Sequence, residues 1–229
     1  MKRYLKNMNA LSIEEIKKLN ESKVCVIGCG GLGGYVIEML GRIGIGYITA
    51  IDGDVFDETN LNRQLMSHTK NIGMGKAEEA KKRMKLVNPH IHIEAVKAMV
   101  DESNIISLIE DHDVVVDALD SIKTRFVVQS STSKLNIPMV HGAIGGFYGQ
   151  VTTIFPYDNT LDFIYSKDNR EDKGIEKELG NPSFTPPLIA SIEVAEVVKI
   201  LLNRGELLRR KVLYIDVMNN SFDLVDFDY

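Results

Sequence analysis

Cysteine and long apolar segments are both scarce in this chain of 229 residues. Cys25 and Cys29 are its two cysteines, too few for a disulfide framework, and they form no C-x-x-C pair. They therefore predict no zinc site, because such a site usually takes its ligands from cysteine or cysteine–histidine pairs. No apolar run approaches the roughly 18 residues that a membrane-spanning helix needs, and the charged N-terminal stretch lacks the apolar core of a signal peptide. We expect a cytoplasmic protein without a membrane partner.

An excess of basic residues is also missing. The 27 lysines and arginines against 32 aspartates and glutamates give a formal net charge of −5, which disfavours non-specific binding of nucleic acid. Hydrophobic residues make up 44% of the chain and charged residues 26%, as in ordinary globular domains. Since domains commonly reach about 250 residues, we expect a single domain over 1–229.

Apolar runs alternate with helical segments along the first part of the chain. The predicted strands are 24–27, 47–51, 91–96, 114–118 and 139–141, and the predicted helices between them begin near residue 34 and cover 76–87, 103–110 and 121–135. Four strand–helix repeats in order predict an α/β fold with a doubly wound, Rossmann-like and mostly parallel sheet. A capping box at Ser12 and Glu15 predicts a short helix over 12–20, inside an N-terminal helical arm of residues 1–22.

The alternation ends after the fifth predicted strand. A strand over 149–155 is followed by a polar, unperiodic crossover loop over 157–185. A loop of that length in a compact domain is usually functional or disordered. A helix over 188–202 and two strands, 211–217 and 222–227, complete the chain, and we expect these late strands to run antiparallel.

A glycine loop links the first strand to its helix. Gly28, Gly30, Gly31 and Gly33 form a G-x-G-x-x-G pattern that follows an apolar run and opens a helical segment. In this context the pattern predicts a nucleotide phosphate cradle, because glycines let backbone N–H groups approach phosphate and the helix N-terminus favours negative charge.

Two carboxylates follow the second strand. Asp52 stands 24 residues beyond Gly28, where a carboxylate commonly accepts the ribose hydroxyls of a nucleotide, and Asp54 joins it in the same loop. Asp52 is alternatively a turn residue before Gly53.

Three further polar residues decide what happens to the nucleotide. Arg63 and Lys76 favour a triphosphate with a reacting phosphorus, because cations offset charge that builds up there. Taken singly, both are alternatively solvated surface cations. Asp120 ends the fourth strand across the crevice from the glycine loop, where a carboxylate holds Mg²⁺ on phosphates or, alternatively, caps the next helix.

Together these motifs resemble those of the MoeB/ThiF/HesA family, relatives of the adenylation domain of the ubiquitin-activating enzyme. The resemblance runs from Arg3 through nearly the whole chain, and it is carried by the glycine loop and by the strings 51–54, 60–64, 75–76 and 117–120. It implies an enzyme that uses ATP and Mg²⁺ to adenylate the C-terminal glycine of a small ubiquitin-like protein ending in Gly-Gly. It implies ribose binding by Asp52, phosphate binding by Arg63 and Lys76, a phosphate site lined by Asn60 and Gln64, and Mg²⁺ placement by Asp120.

Two departures from the family pattern concern its partner contacts. The family usually carries Arg-Tyr-x-Arg near its N-terminus, and the last arginine reaches into the partner subunit of a homodimer. Here Lys6 stands at that position, keeping the charge without the guanidinium fork, and Arg3 is the alternative. The crossover loop lacks the cysteine that many members carry, and its nearest nucleophiles are Ser183 and Thr185.

Three other functions stay open on the sequence. The string 117–121 also resembles the tRNA threonylcarbamoyladenosine dehydratases, which activate a carboxylate on modified tRNA, although a net acidic chain disfavours that acceptor. A dinucleotide-dependent oxidoreductase or a non-catalytic nucleotide-binding protein explains the glycine loop and Asp52. Both leave Arg63, Lys76 and Asp120 without a role.

Overall fold

The computed structural model describes residues 2–165 and 176–227. Within them the chain forms one eight-stranded sheet. The strands are β1 (Lys23–Ile27), β2 (Tyr47–Ile51), β3 (His92–Val96), β4 (Val114–Asp117), β5 (Met139–Gly145), β6 (Tyr148–Ile154), β7 (Lys211–Asp216) and β8 (Ser221–Asp226). The helices are α1 (Ile13–Glu21), α2 (Gly31–Ile43), α3 (Lys76–Val87), α4 (Ile105–Ile109), α5 (Ile122–Leu135), α6 (Leu161–Ile164), α7 (Glu176–Leu179) and α8 (Thr185–Leu202), with 3-10 turns at Lys2–Asn7 and Glu58–Asn60.

The strand order is β3-β2-β1-β4-β5-β6-β7-β8. The first five of these strands pair in parallel, and β6, β7 and β8 each join antiparallel to the preceding strand. The predicted doubly wound sheet with antiparallel C-terminal strands is therefore confirmed. Because β1 pairs with both β2 and β4, the chain reverses direction across the sheet at β1, which is where open α/β sheets bind ligands.

Apolar residues cover both faces of the central strands. Val24 and Val26 face a core that includes α2, α3 and α8, while Cys25 and Ile27 face a second core with α4 and α5. Successive side chains of a strand point to opposite faces, so a strand buried on both sides reads as a continuous apolar run. This packing fixes the sheet between two helical layers and leaves its carboxyl edge open.

Local sequence signals predict some helix boundaries correctly and others not. The capping box at Ser12 is confirmed, since the Glu15 N–H donates to Ser12 Oγ at 3.1 Å and the Ser12 N–H donates to Glu15 Oε2 at 2.7 Å. Helix α4 is shorter than the predicted 103–110. None of the helices in the described ranges is long and apolar enough to cross a bilayer.

The crossover segment is less irregular than the sequence predicts. It contains the short helices α6 and α7, and α8 begins at Thr185, before the predicted residue 188. Pro186 and Pro187 lie in the first turn of α8, where a missing N–H costs no hydrogen bond, so these prolines start the helix. The segment 166–175 lies outside the described residues.

Candidate active site

A cleft of about 370 Å³ opens at the carboxyl ends of β1, β2, β4 and β5. Parallel strands place their carboxyl ends at the same edge of the sheet, which is why residues distant in sequence meet there. The predicted site residues that line the cleft are Gly28, Gly30, Gly31, Asp52, Asp54, Asn60, Arg63, Gln64, Lys76 and Asp120.

The glycine loop forms one wall of the cleft. Gly28 has a φ of 95°, and a Cβ there would lie 2.6 Å from the Ala118 carbonyl oxygen. A Cβ on Gly33 would overlap the Gly28 carbonyl oxygen, so Gly33 packs the helix against the loop and does not itself line the cleft. Helix α2 starts at Gly31 without a side-chain cap, which leaves the N–H groups of its first turn without intrahelical acceptors. An anion fits there.

Asp52 connects the second strand to the glycine loop. Its Oδ2 accepts a hydrogen bond from the Cys29 N–H at 2.7 Å, and its Oδ1 accepts one from the Asp54 N–H at 2.8 Å. Burial raises the pKa of Asp52, and these two N–H groups oppose that rise. The bond to the Asp54 N–H is the turn contact that the sequence offered as an alternative role for Asp52. Asp52 therefore both closes this turn and lines the cleft.

Lys76 is buried at the start of α3. Its side chain is 10% exposed, and Nζ lies 3.0 Å from Asp54 Oδ2, while its backbone N–H donates to the Asp54 carbonyl at 3.0 Å. The alternative of a solvated surface cation is therefore wrong for Lys76. The ammonium group of Lys76 is buried while its partner carboxylate is exposed, so a phosphate entering the cleft could replace Asp54 as that partner.

Three polar side chains come from the 3-10 turn Glu58–Asn60 and the residues that follow it. Arg63 is half-buried, and its Nη1 donates to the Thr59 carbonyl and to Asn62 Oδ1, both at 3.0 Å. Gln64 is 7% exposed, and among the described residues its Oε1 has no hydrogen-bond partner. Asn60 Oδ1 accepts the Asp57 N–H at 3.1 Å and so closes the turn that carries Arg63 and Gln64.

Asp120 lies in the turn between β4 and α5. Ser121 caps α5 through a 3.2 Å hydrogen bond from the Thr124 N–H, so the capping alternative for Asp120 is wrong. In the part of the chain that the structure describes, no three His, Cys, Asp or Glu side chains cluster as a metal site. The arrangement fits Mg²⁺ held by one carboxylate with phosphate and water oxygens, which is how this ion usually binds nucleotides.

Comparison with known proteins decides the family. Residues 3–228 match the ThiF family. The chain belongs to the ThiF family.

The curated relatives of this ThiF-family chain include activating enzymes and adenylyltransferases. A SAMP-activating enzyme E1 of Haloferax volcanii is 33% identical over 223 residues, which cover 96% of this chain and 82% of the relative. A sulfur carrier protein adenylyltransferase of Thermus thermophilus is 30% identical, with 90% of this chain and 79% of the relative covered. The chain spans only 56% of a probable molybdopterin-synthase adenylyltransferase of Porphyra purpurea, at 31% identity.

Solved structures share the fold at lower identity. A complex of E. coli MccB with AMPCPP and MccA superposes with a TM-score of 0.84 at 21% identity, covering 98% of this chain and 71% of that chain. The E. coli tRNA N6-threonylcarbamoyladenosine dehydratase TcdA, in complex with ATP, gives 0.76 at 23% identity, covering 88% and 94%. Similarity at this level shows the common fold.

A buried polar network that the sequence did not reveal lies beneath the cleft. Nδ1 of His141 is 2.7 Å from Asp117 Oδ2, and its Nε2 is 3.1 Å from the Tyr165 hydroxyl. That hydroxyl also accepts from Arg125 Nη1 at 2.5 Å and from Gln150 Nε2 at 3.0 Å. The one local signal was Asp117 itself, a carboxylate in an otherwise apolar central strand.

Arg125 connects this network to the turn between β4 and α5. It lines the cleft, and its Nη2 donates to the Leu119 carbonyl at 2.5 Å, one residue before Asp120. Burial lowers the pKa of His141 and Asp117 opposes that effect. The network therefore holds the turn that presents Asp120.

The N-terminal arm lies apart from the cleft. Lys6 is exposed in the first 3-10 turn and does not line the cleft of its own chain. Arg3 donates to the Val87 carbonyl. A role for either residue in a second subunit stays a prediction.

Proposed function

We propose that this ThiF-family chain is an ATP-dependent adenylyltransferase that activates the C-terminal glycine carboxylate of a small ubiquitin-like sulfur-carrier protein. The observation that carries the proposal is the convergence of Arg63, Lys76 and Asp120 on a cleft whose wall is a glycine loop. The names of the relatives at 30–33% identity support the same reaction class and the same kind of acceptor.

The residues at the two ends of the cleft support ATP as the nucleotide. Asp52 would accept the ribose hydroxyls with the lone pairs that its backbone contacts leave over. The glycine loop and the start of α2 would bind the phosphates, with Asn60 holding the turn and Gln64 beside Gly30. A dinucleotide-dependent oxidoreductase would leave the buried ammonium of Lys76 without a use.

The chemistry is displacement at the α-phosphorus. The acceptor carboxylate oxygen forms the new bond to phosphorus, the bond to the bridging oxygen breaks, and pyrophosphate leaves with the electron pair. Arg63 and Lys76 would stabilise the negative charge that develops on the oxygens at phosphorus. Asp120 would hold Mg²⁺, which neutralises phosphate charge when bound. A carboxylate needs no deprotonation at neutral pH, so the reaction needs no general base.

Both cysteines are too deeply buried to form a thioester with the acceptor. Cys25 and Cys29 are fully buried, and burial raises the pKa of both thiols well above the usual range. A thioester step needs an accessible thiolate. The reaction of this chain would therefore end at the acyl adenylate, for a separate acceptor to consume.

The assembly and location complete the proposal. The chain would form a cytoplasmic homodimer in which Lys6 reaches the cleft of the second subunit. Closed two-fold pairs are the commonest soluble assemblies. A lysine supplies charge there with less geometric control than an arginine.

ATP–pyrophosphate exchange tests the acceptor class. The purified chain is assayed with a sulfur-carrier protein ending in Gly-Gly, with the same protein lacking its last glycine, and with tRNA carrying threonylcarbamoyladenosine. We expect exchange with the first alone. Exchange with the tRNA alone would support the dehydratase alternative, which the fold shared with TcdA keeps as the second candidate.

A further inference from the structure

Asn181 lies on the chain that returns from the crossover, which we call the return arm (residues 180–185). Its Oδ1 is buried and has no hydrogen-bond partner among the described residues. The side chain belongs to the lining of the cleft, although it follows Lys76 by more than a hundred residues in sequence. A buried acceptor without a donor is unusual in a folded protein and calls for an explanation.

Hydrogen bonds at both ends hold the return arm in place. Asn62 Nδ2 donates to the Asn181 carbonyl at 3.1 Å, and the Gly146 N–H donates to the Gly180 carbonyl at 2.7 Å. Thr185 Oγ1 donates to the Gly146 carbonyl at 2.7 Å. The position of Asn181 is therefore set by the protein before any ligand binds, as binding groups need to be.

The chemistry of the unpaired atom limits its ligand. An amide oxygen accepts hydrogen bonds, whereas the oxygens of an ionised triphosphate are acceptors as well and offer it no hydrogen. Asn62, whose side chain donates to the Asn181 carbonyl, is followed in the chain by Arg63, which lines the cleft. Asn181 therefore lies on the side of the cleft where the proposed reaction places the phosphates and the attacking carboxylate, so its ligand is a hydrogen-bond donor that comes with the acceptor.

A C-terminal Gly-Gly tail has that chemistry. It has no side chains, so a protein recognises it through its backbone N–H and C=O groups and through the narrow space that it occupies. An asparagine amide matches a peptide unit, since its oxygen accepts from an N–H while its NH₂ donates to a C=O.

We propose that Asn181 accepts a hydrogen bond from a backbone N–H of the acceptor's terminal glycine pair and so selects the tail, with Asn62 as its positioning residue. The inference rests on the proposed adenylation reaction and adds a residue of the return arm to its acceptor site. It assigns Asn181 to the acceptor and not to ATP.

Steady-state kinetics separates these two assignments. With a sulfur-carrier protein ending in Gly-Gly as the probe, Asn181→Ala should raise its KM about tenfold, as the loss of one good hydrogen bond does. The KM for ATP should not change, and kcat should change little. Ser183→Ala, an exposed position on the same arm that does not line the cleft, is the matched control.

A double-mutant cycle with the acceptor identifies the bond itself. Sarcosine replaces either the last or the penultimate glycine of the probe and removes one N–H. With one of the two sarcosine acceptors, the kcat/KM of the wild type should fall about tenfold relative to the Gly-Gly acceptor. The kcat/KM of Asn181→Ala should be the same with both of these acceptors, because the variant already lacks the hydrogen bond. Losses that multiply for both acceptors, or a raised KM for ATP, would overturn the inference and leave adenylation intact. No exchange by the wild type would overturn the proposed function before any variant is made.

Discussion

The Tyr165 hydroxyl lies 3.1 Å from Nε2 of His141, in a buried network directly beneath the cleft. Tyr165 directly follows α6 in the crossover, and Arg125 donates both to its hydroxyl and to the Leu119 carbonyl next to Asp120. One phenol therefore connects the crossover to the turn that would hold the metal. Removal of this hydroxyl should therefore weaken Mg²⁺ binding at Asp120, although no residue of the cleft is substituted.

Tyr165→Phe tests this connection. Arg125 and His141 would lose a shared oxygen, and the turn that carries Asp120 would be held less firmly. We expect the Mg²⁺ concentration for half-maximal exchange to rise about tenfold, with the KM for ATP less affected. Tyr157→Phe is the matched control, because Tyr157 is 77% exposed. An unchanged Mg²⁺ dependence in Tyr165→Phe would mean that the network has only a structural role.

The charged residues of the cleft give the second prediction. Arg63→Ala, Lys76→Ala and Asp120→Ala should each lower acceptor-dependent pyrophosphate exchange by about 10²–10³-fold, since each removes charge stabilisation in the transition state. Circular dichroism should show all three folded. Lys85→Ala, an exposed lysine on the same helix as Lys76, should keep full activity. Full activity in the three cleft variants would refute their assignment.

A third prediction concerns Glu193, which is fully buried beneath Gly142 on α8. Neither of its carboxylate oxygens has a hydrogen-bond partner among the described residues. Burial raises its pKa well above the usual range, Asp117 adds to that rise, and Arg125 opposes it. The folded protein therefore holds this proton at pH values where the unfolded chain has released it. The stability that protonated Glu193 contributes is fully present at pH values below the pKa of this group in the unfolded chain. It is lost as the pH rises through the pKa of the same group in the folded protein.

Glu193→Gln removes that titration and keeps the size of the side chain. We expect its free energy of unfolding to exceed that of wild type at neutral pH by roughly 1–3 kcal/mol, and the difference to shrink as the pH falls. Glu196→Gln should instead destabilise, because Glu196 Oε2 accepts from Thr153 Oγ1 and the Leu208 N–H while Oε1 pairs with Lys199 Nζ, and an amide NH₂ in place of Oε1 cannot accept from that ammonium. Urea titrations across pH measure both, and a destabilised Glu193→Gln at neutral pH would contradict the account.

The fourth prediction is that one subunit completes the other. Lys6→Ala and Arg63→Ala should each be weakly active alone. In a mixed dimer one cleft retains Arg63 and receives Lys6 from its partner, so mixing the two variants should restore activity. Sedimentation should give a dimer at micromolar concentration. A monomer with full activity would contradict this arrangement.

Much of the site could be predicted because its signals are local. The glycine loop, Asp52 and Lys76 each stand at a strand end or a helix start that a few neighbouring residues define. Helix α8 begins before the predicted residue 188 because the first turn of a helix tolerates proline, and Pro186 and Pro187 lie in that turn.

Asn181 and Tyr165 had no local signal at all. Their places depend on how the crossover returns to the sheet, through contacts such as that of Asn62 with Asn181 across 119 residues of sequence. Asp117 of β4 and its partners His141 and Arg125 come from three different elements, so no local pattern joins them. Only the folded chain brings these residues together.

The most direct measurement of the central claim is the mass of the acceptor after reaction. A sulfur-carrier protein ending in Gly-Gly is incubated with ATP, Mg²⁺ and the Cys25→Ser/Cys29→Ser variant, and the mixture is analysed intact without reductant. We predict an acceptor heavier by one adenylyl group, at the same yield as with wild type, and no covalent species of the chain with the acceptor. An unmodified acceptor, or an adduct on either cysteine of the wild type, would contradict an enzyme whose chemistry ends at the acyl adenylate.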